Sequence, residues 1–284
     1  MTPVRPGCLR ITLDEGSDAE VVADRCWLLG ATAVGESDGC LEVGFGTDEA
    51  AGEAASALGE WRPGLVVAVV DASPALDAAL EAWRPYARPL RVGPLHVRPS
   101  WLAADDDPPA PGERLVVIDP TRAFGYDHPS TVACLRVVAS AAGRGVAVLD
   151  VGCGSGVLAL AAAVLGASPV VAVDTDPVAV HATRSAAAAA GVAVDASSTP
   201  VGDVAGYFGL VVANIGARAL TVMAPAIAGR LAAGGTLVVA GLLVDQVPEI
   251  ARAYEGEGLR PGEVEAQDGW ASPVFFRKST TSGC

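Results

Sequence analysis

Between two apolar stretches, the segment Val148-Leu149-Asp150-Val151-Gly152-Cys153-Gly154-Ser155-Gly156 places a carboxylate and three alternating glycines. Glycines at that spacing let a backbone turn tightly and approach a ligand, and a helix opening directly after them offers N–H groups to an anionic part of it. Asp174 stands 18 positions after Gly156, where a carboxylate that grips ribose hydroxyls is expected. Strand, glycine turn, helix, strand and acid make the entry half of a nucleotide-binding βαβ unit. Gly154 to Ala159 also fits the dinucleotide pattern G-x-G-x-x-A, so the glycines alone leave the cofactor open. Two residues favour S-adenosylmethionine. Asp150, just before the first glycine, can orient the loop and take up an ammonium, directly or through water. Asn214 ends the apolar run Leu210-Val211-Val212-Ala213, where its amide could face a methyl group in transfer. Hydride transfer needs neither. A nicotinamide enzyme and a non-catalytic cofactor-binding protein are the competing classes, separated by cofactor binding and by turnover.

The elements around these residues read as an α/β fold. Val146 to Val151 is a buried parallel strand, and Val157 to Leu165 an apolar, Ala-rich helix. Val170 to Val173 is the next strand. Asp176-Pro177 opens a helix that runs to Ala190 and stops at Gly191. Val192 to Val194 reads as a third strand, with Ser197 and Ser198 placed for an adenine edge. Phe208 to Ala213, Thr236 to Ala240 and Ala271 to Arg277 are further strands, the last expected antiparallel at the sheet's edge. Helices fall at Ala217 to Ala232, kinked at Pro225, and at Asp245 to Glu255. Together they predict a seven-stranded Rossmann-like methyltransferase sheet, with the cofactor across the carboxyl ends of its strands.

A smaller α+β domain precedes it. Cys8 to Leu13 is a strand, and Ser17 caps a helix to about Leu29 with Glu20 at the capping-box position. Thr32 to Val34 and Cys40 to Phe45 are strands joined by the turn Glu36-Ser37-Asp38-Gly39. A helix from Thr47 to Leu58 and a strand from Leu65 to Val70 complete a β-α-β-β-α-β, ferredoxin-like order. The expected organisation is a ferredoxin-like domain over 1–72, a linker helix over 73–90, a catalytic domain over 91–278 and a tail over 279–284.

Composition narrows the partners. With 19 Lys and Arg against 33 Asp and Glu, the chain of 284 residues carries −14, which argues against a direct nucleic-acid partner. Residues 1–72 hold 13 acids and four arginines, a net −9; this is either a set of solvated helix faces or an acidic surface for a basic protein. Six cysteines without a C-x-x-C pair predict no metal site, no disulfide framework and a cytoplasmic location. Residues 156–173 are uncharged over 18 positions, but Gly166 and Pro169 divide them into helix and strand, so no membrane span is expected.

Four segments carry a family resemblance. Pro89-Leu90-Arg91-Val92-Gly93 with Pro99-Ser100-Trp101, Phe124-Gly125 with His128-Pro129-Ser130-Thr131, Asp150 to Gly156, and Val212-Ala213-Asn214-Ile215 stand in this order. Together they resemble the PrmA family, which methylates ribosomal protein L11. The resemblance covers nearly the whole chain. It implies S-adenosylmethionine as cofactor and lysine side-chain or terminal amines as acceptors. It also implies a leading domain that recognises the ribosomal protein, joined by a flexible linker. Carried onto this sequence, it makes Asn214 the catalytic residue. Phe124, Thr131, Asp150, Gly152, Gly154, Gly156, Asp174, Ser198 and Asn214 become the cofactor contacts, with no metal ligand. The chain departs from the family at Tyr126-Asp127, where Thr-Gly is usual, and at Phe208-Gly209, where Phe-Asp is usual. A bulky ring and a charge beside the cofactor entrance keep a second reading open: a methyltransferase of a small-molecule amine or peptide. Tyr126 would then line the substrate mouth. His128 is expected to shape its loop, His96 and His181 to be structural or solvent-facing, Cys153 to be a small filler, and Trp101 and Trp270 to pack.

Overall fold

The computed structural model describes residues 7–13, 19–31, 33–37, 39–45, 47–70, 84, 87–102, 107–119 and 126–279. Phe124 and Ser17 lie outside them, as do 71–83, 85 and 86 and so most of the expected linker helix. The chain divides into two compact units, Met1–Tyr86 and Ala87–Cys284.

In the first unit β1 (Gly7–Thr12), β2 (Ala33–Ser37), β3 (Cys40–Phe45) and β4 (Val66–Val70) form an antiparallel sheet in the order β2-β3-β1-β4. Helices α1 (Ala19–Leu28) and α2 (Asp48–Trp61) complete the β-α-β-β-α-β order. Strand alternation turns Leu9, Ile11, Leu41 and Val43 inward, against Val22 and Cys26 of α1 and Ala51, Ala54 and Leu58 of α2. The Thr47 hydroxyl caps α2 by accepting the Ala50 N–H at 3.0 Å, and Asp48 and Glu49 in the first turn suit the helix dipole.

The second unit opens with a three-stranded sheet in the order β5-β6-β7: β5 (Leu90–Val92), β6 (Leu95–Pro99) and β7 (Arg114–Ile118). His96 is fully buried in it, 3.2 Å from Asp107, while Arg91 pairs with both Asp107 and Glu113. His96 is therefore structural, as one of its two expected roles had it.

The main sheet carries β8 (Val148–Val151), β9 (Val170–Val173), β10 (Asp195–Ser197), β11 (Phe208–Asn214), β12 (Leu231–Ala240), the two-residue β13 (Leu242–Leu243), β14 (Arg260–Gln267) and β15 (Trp270–Phe276). Its order is β10-β9-β8-β11-β12-β15-β13, with β14 paired to β15. Without the two-residue β13 this is the expected seven-stranded sheet. Five strands are parallel; β15 runs antiparallel to β12. Five helices join them: α3 (Pro129–Ala141), α4 (Val157–Val164), α5 (Pro177–Ala190), α6 (Ala217–Gly229) and α7 (Val247–Gly256).

Among the boundaries that differ from expectation, β2 runs on to Ser37 and β12 starts at Leu231, and three further differences have a physical cause. The third core strand is Asp195–Ser197, not Val192 to Val194. Gly191 ends α5 in the left-handed conformation, and the Val192 N–H still bonds back to Ala187, so Val192 completes the helix stop and the strand begins only at Asp195. The final strand is not the edge. β14 pairs outside it, and its sequence, RPGEVEAQ, is almost wholly exposed and so lacks the apolar alternation that marks a strand. Helix α6 ends at Gly229 because Leu231 already pairs with Phe208.

Tyr126 is a fourth correction. Its ring is fully buried rather than at a substrate mouth. Its hydroxyl donates to the Arg88 carbonyl and accepts the Arg88 N–H, and burial pushes its pKa up to about 12. Phenylalanine would keep the packing and lose both of these hydrogen bonds. Tyr126→Phe is expected to lower the unfolding free energy by about 1–3 kcal/mol in urea titration, whereas Tyr207→Phe, at a side chain 71% exposed, leaves the midpoint unchanged.

Candidate active site

Asp150 sits near the end of β8 and is 1% exposed. Its Oδ2 accepts the Ala159 N–H at 3.1 Å, in the first turn of α4. The residue at the N-cap position of α4 is Gly156, which has no side chain to offer, so a carboxylate from the preceding strand does the capping. The second oxygen, Oδ1, is buried without a hydrogen-bond partner. Burial pushes the acid's pKa up to about 7; the Ala159 N–H opposes the shift and the charge of Asp174 adds to it. Cys134 of α3 and Cys153 of the loop also face it, their thiols raised by burial and by the Asp150 charge.

The loop demands its glycines. Gly152, Gly154 and Gly156 have φ of +76°, +52° and +81°. A Cβ on Gly152 would stand 2.3 Å from Cγ2 of Ile215, and one on Gly156 2.8 Å from the Thr183 hydroxyl. Asp174 braces the loop: its Oδ2 accepts the Gly154 N–H and its Oδ1 the Asp176 N–H, each at 2.9 Å. A carboxylate offers about four acceptor positions, so two remain for ribose hydroxyls. Ser198 is exposed one residue beyond β10, where the Ser197 carbonyl accepts the Asp174 N–H at 3.2 Å. Thr183, which no motif marked, sets its one hydroxyl 3.3 Å from both the Gly154 carbonyl and Sγ of Cys153, where it donates to one or the other.

Asn214 ends β11, next to β8 in the sheet. Its Nδ2 donates to Oγ1 of Thr131 at 3.1 Å. Thr131 is buried in the first turn of α3, where His128 is the N-cap and Nδ1 accepts the Ser130 N–H. So Thr131, expected as a cofactor contact, also fixes the amide of Asn214, and His128 caps its helix. Gly241 was not foreseen either. At φ +84° it leaves room where a Cβ would lie 3.2 Å from Oδ1 of Asn214 and 2.7 Å from the Ile215 carbonyl. One glycine among 33 gives no sequence signal for that role. The His128 and Trp270 rings meet edge-on at 4.7 Å, and Trp270 pairs with the exposed Leu243. Burial holds the His128 imidazole below its ordinary pKa, which favours its neutral form.

These residues fit S-adenosylmethionine. The orphaned Oδ1 of Asp150 matches an ammonium, the positive-φ glycines allow close backbone approach, and Asp174 keeps acceptor capacity for a diol. His181 borders a cavity of about 760 Å³ that Ser155 of the glycine loop lines together with Asp119 and Val178. Among the described residues, no cluster of His, Cys, Asp or Glu could hold a metal ion, and no helix is long and apolar enough to cross a membrane.

Comparison with known proteins places the chain. Residues 30–278 match the family described as Ribosomal protein L11 methyltransferase (PrmA). The chain is 40% identical over 199 residues to the Ribosomal protein L11 methyltransferase of Symbiobacterium thermophilum, covering 69% of this chain and 64% of the relative. It is 37% identical over 195 residues to that of Geobacter metallireducens, covering 68% and 64%. Each match thus spans just under two thirds of the relative's length. The crystal structure of the ribosomal protein L11 methylase from Lactobacillus delbrueckii subsp. bulgaricus aligns with a TM-score of 0.62 and 28% identity, covering 68% of this chain and 99% of that one. The chain belongs to the ribosomal protein L11 methyltransferase family.

The Asp150 carboxyl yields a prediction with a definite sign. Its folded pKa, about 7, lies above the ordinary 3.8, so between those values the folded protein holds a proton that the unfolded chain releases. Its stability contribution is full below about pH 4 and is lost as pH rises through 7, on the order of 4 kcal/mol in all. Asp150→Asn is expected to remove that slope, leaving the ligand-free variant at least as stable as wild type in urea at pH 8. Calorimetry should show S-adenosylmethionine bound at least about tenfold more weakly by the variant. In the wild type the affinity should fall as pH drops below 7, because the ammonium requires the ionised carboxylate.

Proposed function

We propose that the chain is an S-adenosylmethionine-dependent N-methyltransferase acting on amines of a protein, with ribosomal protein L11 as the first acceptor to test. The observation that carries this reading is the Asn214 carboxamide. Thr131 holds its nitrogen, Gly241 leaves space at its oxygen, and the strand that presents it lies beside the one bearing the glycine loop. The named activities of the relatives support the same acceptor, and an acceptor of that kind puts the reaction in the cytoplasm. The small-molecule alternative loses its main support, since the ring of Tyr126 is in the core.

The bound cofactor supplies an electrophilic methyl group on a sulfonium. The protein has to present a neutral amine with its lone pair aimed at that methyl. A lysine amine has an ordinary pKa near 10.4, so most of it arrives protonated. A site poor in water disfavours the charged form, and the neutral imidazole of His128 adds no charge to it. Oδ1 of Asn214 accepts an amine N–H and turns the lone pair away from itself. It is too weak a base to take the proton, which leaves to water. Orientation and desolvation carry the rate. Trp270 and Leu243 form an apolar rim along which the methylene stem of a lysine can lie.

Purified ribosomal protein L11 incubated with the enzyme and S-adenosylmethionine is expected to gain methyl-group mass increments by mass spectrometry; an unmodified protein alongside a labelled small metabolite would overturn the acceptor. Asn214→Ala should lower kcat on the order of a hundredfold with cofactor affinity nearly unchanged. Asp174→Ala should do the reverse in calorimetry, weakening cofactor binding roughly ten- to a hundredfold.

A further inference from the structure

Helix α5 buries one stripe, Val180, Thr183 and Ala187, at i, i+3 and i+7. Two of the three are aliphatic, and packing alone would be met by an aliphatic residue at the third. Thr183 is nonetheless 0% exposed. A buried hydroxyl opposes folding unless it is hydrogen-bonded. Inside a helix, threonine ordinarily bonds back to the carbonyl three or four residues earlier. Thr183 reaches out of its helix, with Oγ1 3.3 Å from the carbonyl of Gly154 and from Sγ of Cys153, 29 and 30 positions earlier. A thiol sulfur is a weak acceptor and a peptide carbonyl a strong one, so the hydroxyl proton goes to Gly154. The side chain also sits directly against the loop: a Cβ on Gly156 would lie 2.8 Å from its hydroxyl and 3.0 Å from its methyl.

Gly154 is held at its other backbone group as well, since its N–H donates to Oδ2 of Asp174 at 2.9 Å. A residue has two soft dihedrals, and fixing its N–H and its C=O fixes both. Glycine loses the most freedom when so ordered. Both holds come from one stretch, the end of β9 and helix α5, so the loop is ordered before a ligand arrives.

We infer that Thr183 is a positioning residue for S-adenosylmethionine. It is too deeply buried to touch the cofactor. Its hydroxyl holds the Gly154 carbonyl and keeps the glycine loop in the shape that binds, so that binding does not carry the cost of ordering that glycine. The inference rests on the cofactor and on no choice of methyl acceptor, so its test needs no acceptor.

Thr183→Val keeps the branched shape and removes the hydroxyl. Thr183→Ser keeps the hydroxyl and removes the methyl. Calorimetry of the full-length enzyme with S-adenosylmethionine, well below each melting temperature, should show Kd raised about three- to tenfold by valine and within about twofold of wild type for serine. Hydrogen exchange of the ligand-free Thr183→Val enzyme, read by mass spectrometry, should quicken over 152–156 while α5 keeps its protection. A side chain that only packs predicts the opposite order, because valine fills the space and serine leaves a void. If serine binds the cofactor no better than valine, or if the loop of Thr183→Val exchanges no faster than wild type, Thr183 is a packing residue and the inference is overturned. Should valine fail to fold, Thr183→Ala against Thr183→Ser repeats the contrast, since both lack the methyl and differ by the hydroxyl.

Discussion

The site depends on one carboxylate that the fold buries and satisfies by half. One oxygen of Asp150 takes the N–H of Ala159 and so caps a helix whose own N-cap position is a glycine. That glycine cannot be replaced, because Thr183 occupies the place of its Cβ. The other oxygen has no partner. An unpaired buried acceptor opposes folding, and the elevated pKa of the group expresses that opposition. A cation delivered to the free oxygen removes it. The same atoms therefore shape the glycine loop, oppose folding of the ligand-free protein and leave an acceptor suited to a positive charge at that point.

Around this carboxylate the parallel sheet brings together residues far apart in the chain. β8 carries Asp150, β9 leads into Asp174, β10 stops just before Ser198 and β11 ends on Asn214. Their adjacency follows from the strand order, in which β11 lies beside β8 although two other strands separate them in sequence. Asn214 is then tuned by neighbours outside the sheet: Thr131 from the first turn of α3 and the missing side chain at Gly241. A carboxamide free to rotate could offer either end to a substrate. With its nitrogen held, it offers the oxygen, which is the end an amine needs.

The small unit obeys a different constraint. Its four strands and two helices close a core from Leu9, Ile11, Leu41, Val43 and their helical partners.

Periodicity and spacing in the sequence determined the architecture: the alternation of Cys8 to Leu13, the uninterrupted apolar run into Asp150, the glycine triplet and Asp174 at its distance. These are local, since a strand's alternation and a turn's need for positive φ are properties of neighbouring residues. Asn214 was legible too, as a polar residue ending an apolar strand. The tertiary structure decided the rest. β14 is polar and exposed, and becomes a strand only by pairing with β15. Val192 to Val194 look like a strand, but Val192 finishes the stop of α5 and pairing begins at Asp195. Tyr126 looked like a residue of the mouth because the family resemblance implied a cofactor entrance beside it, yet its ring is buried and its hydroxyl meets Arg88, 38 positions away. The double duty of Asp174, the hold of Thr131 on Asn214 and the space at Gly241 are contacts between segments tens of residues apart. Residue type and spacing specify which groups are present, but only packing brings a donor within reach of its acceptor and leaves one oxygen of Asp150 without any.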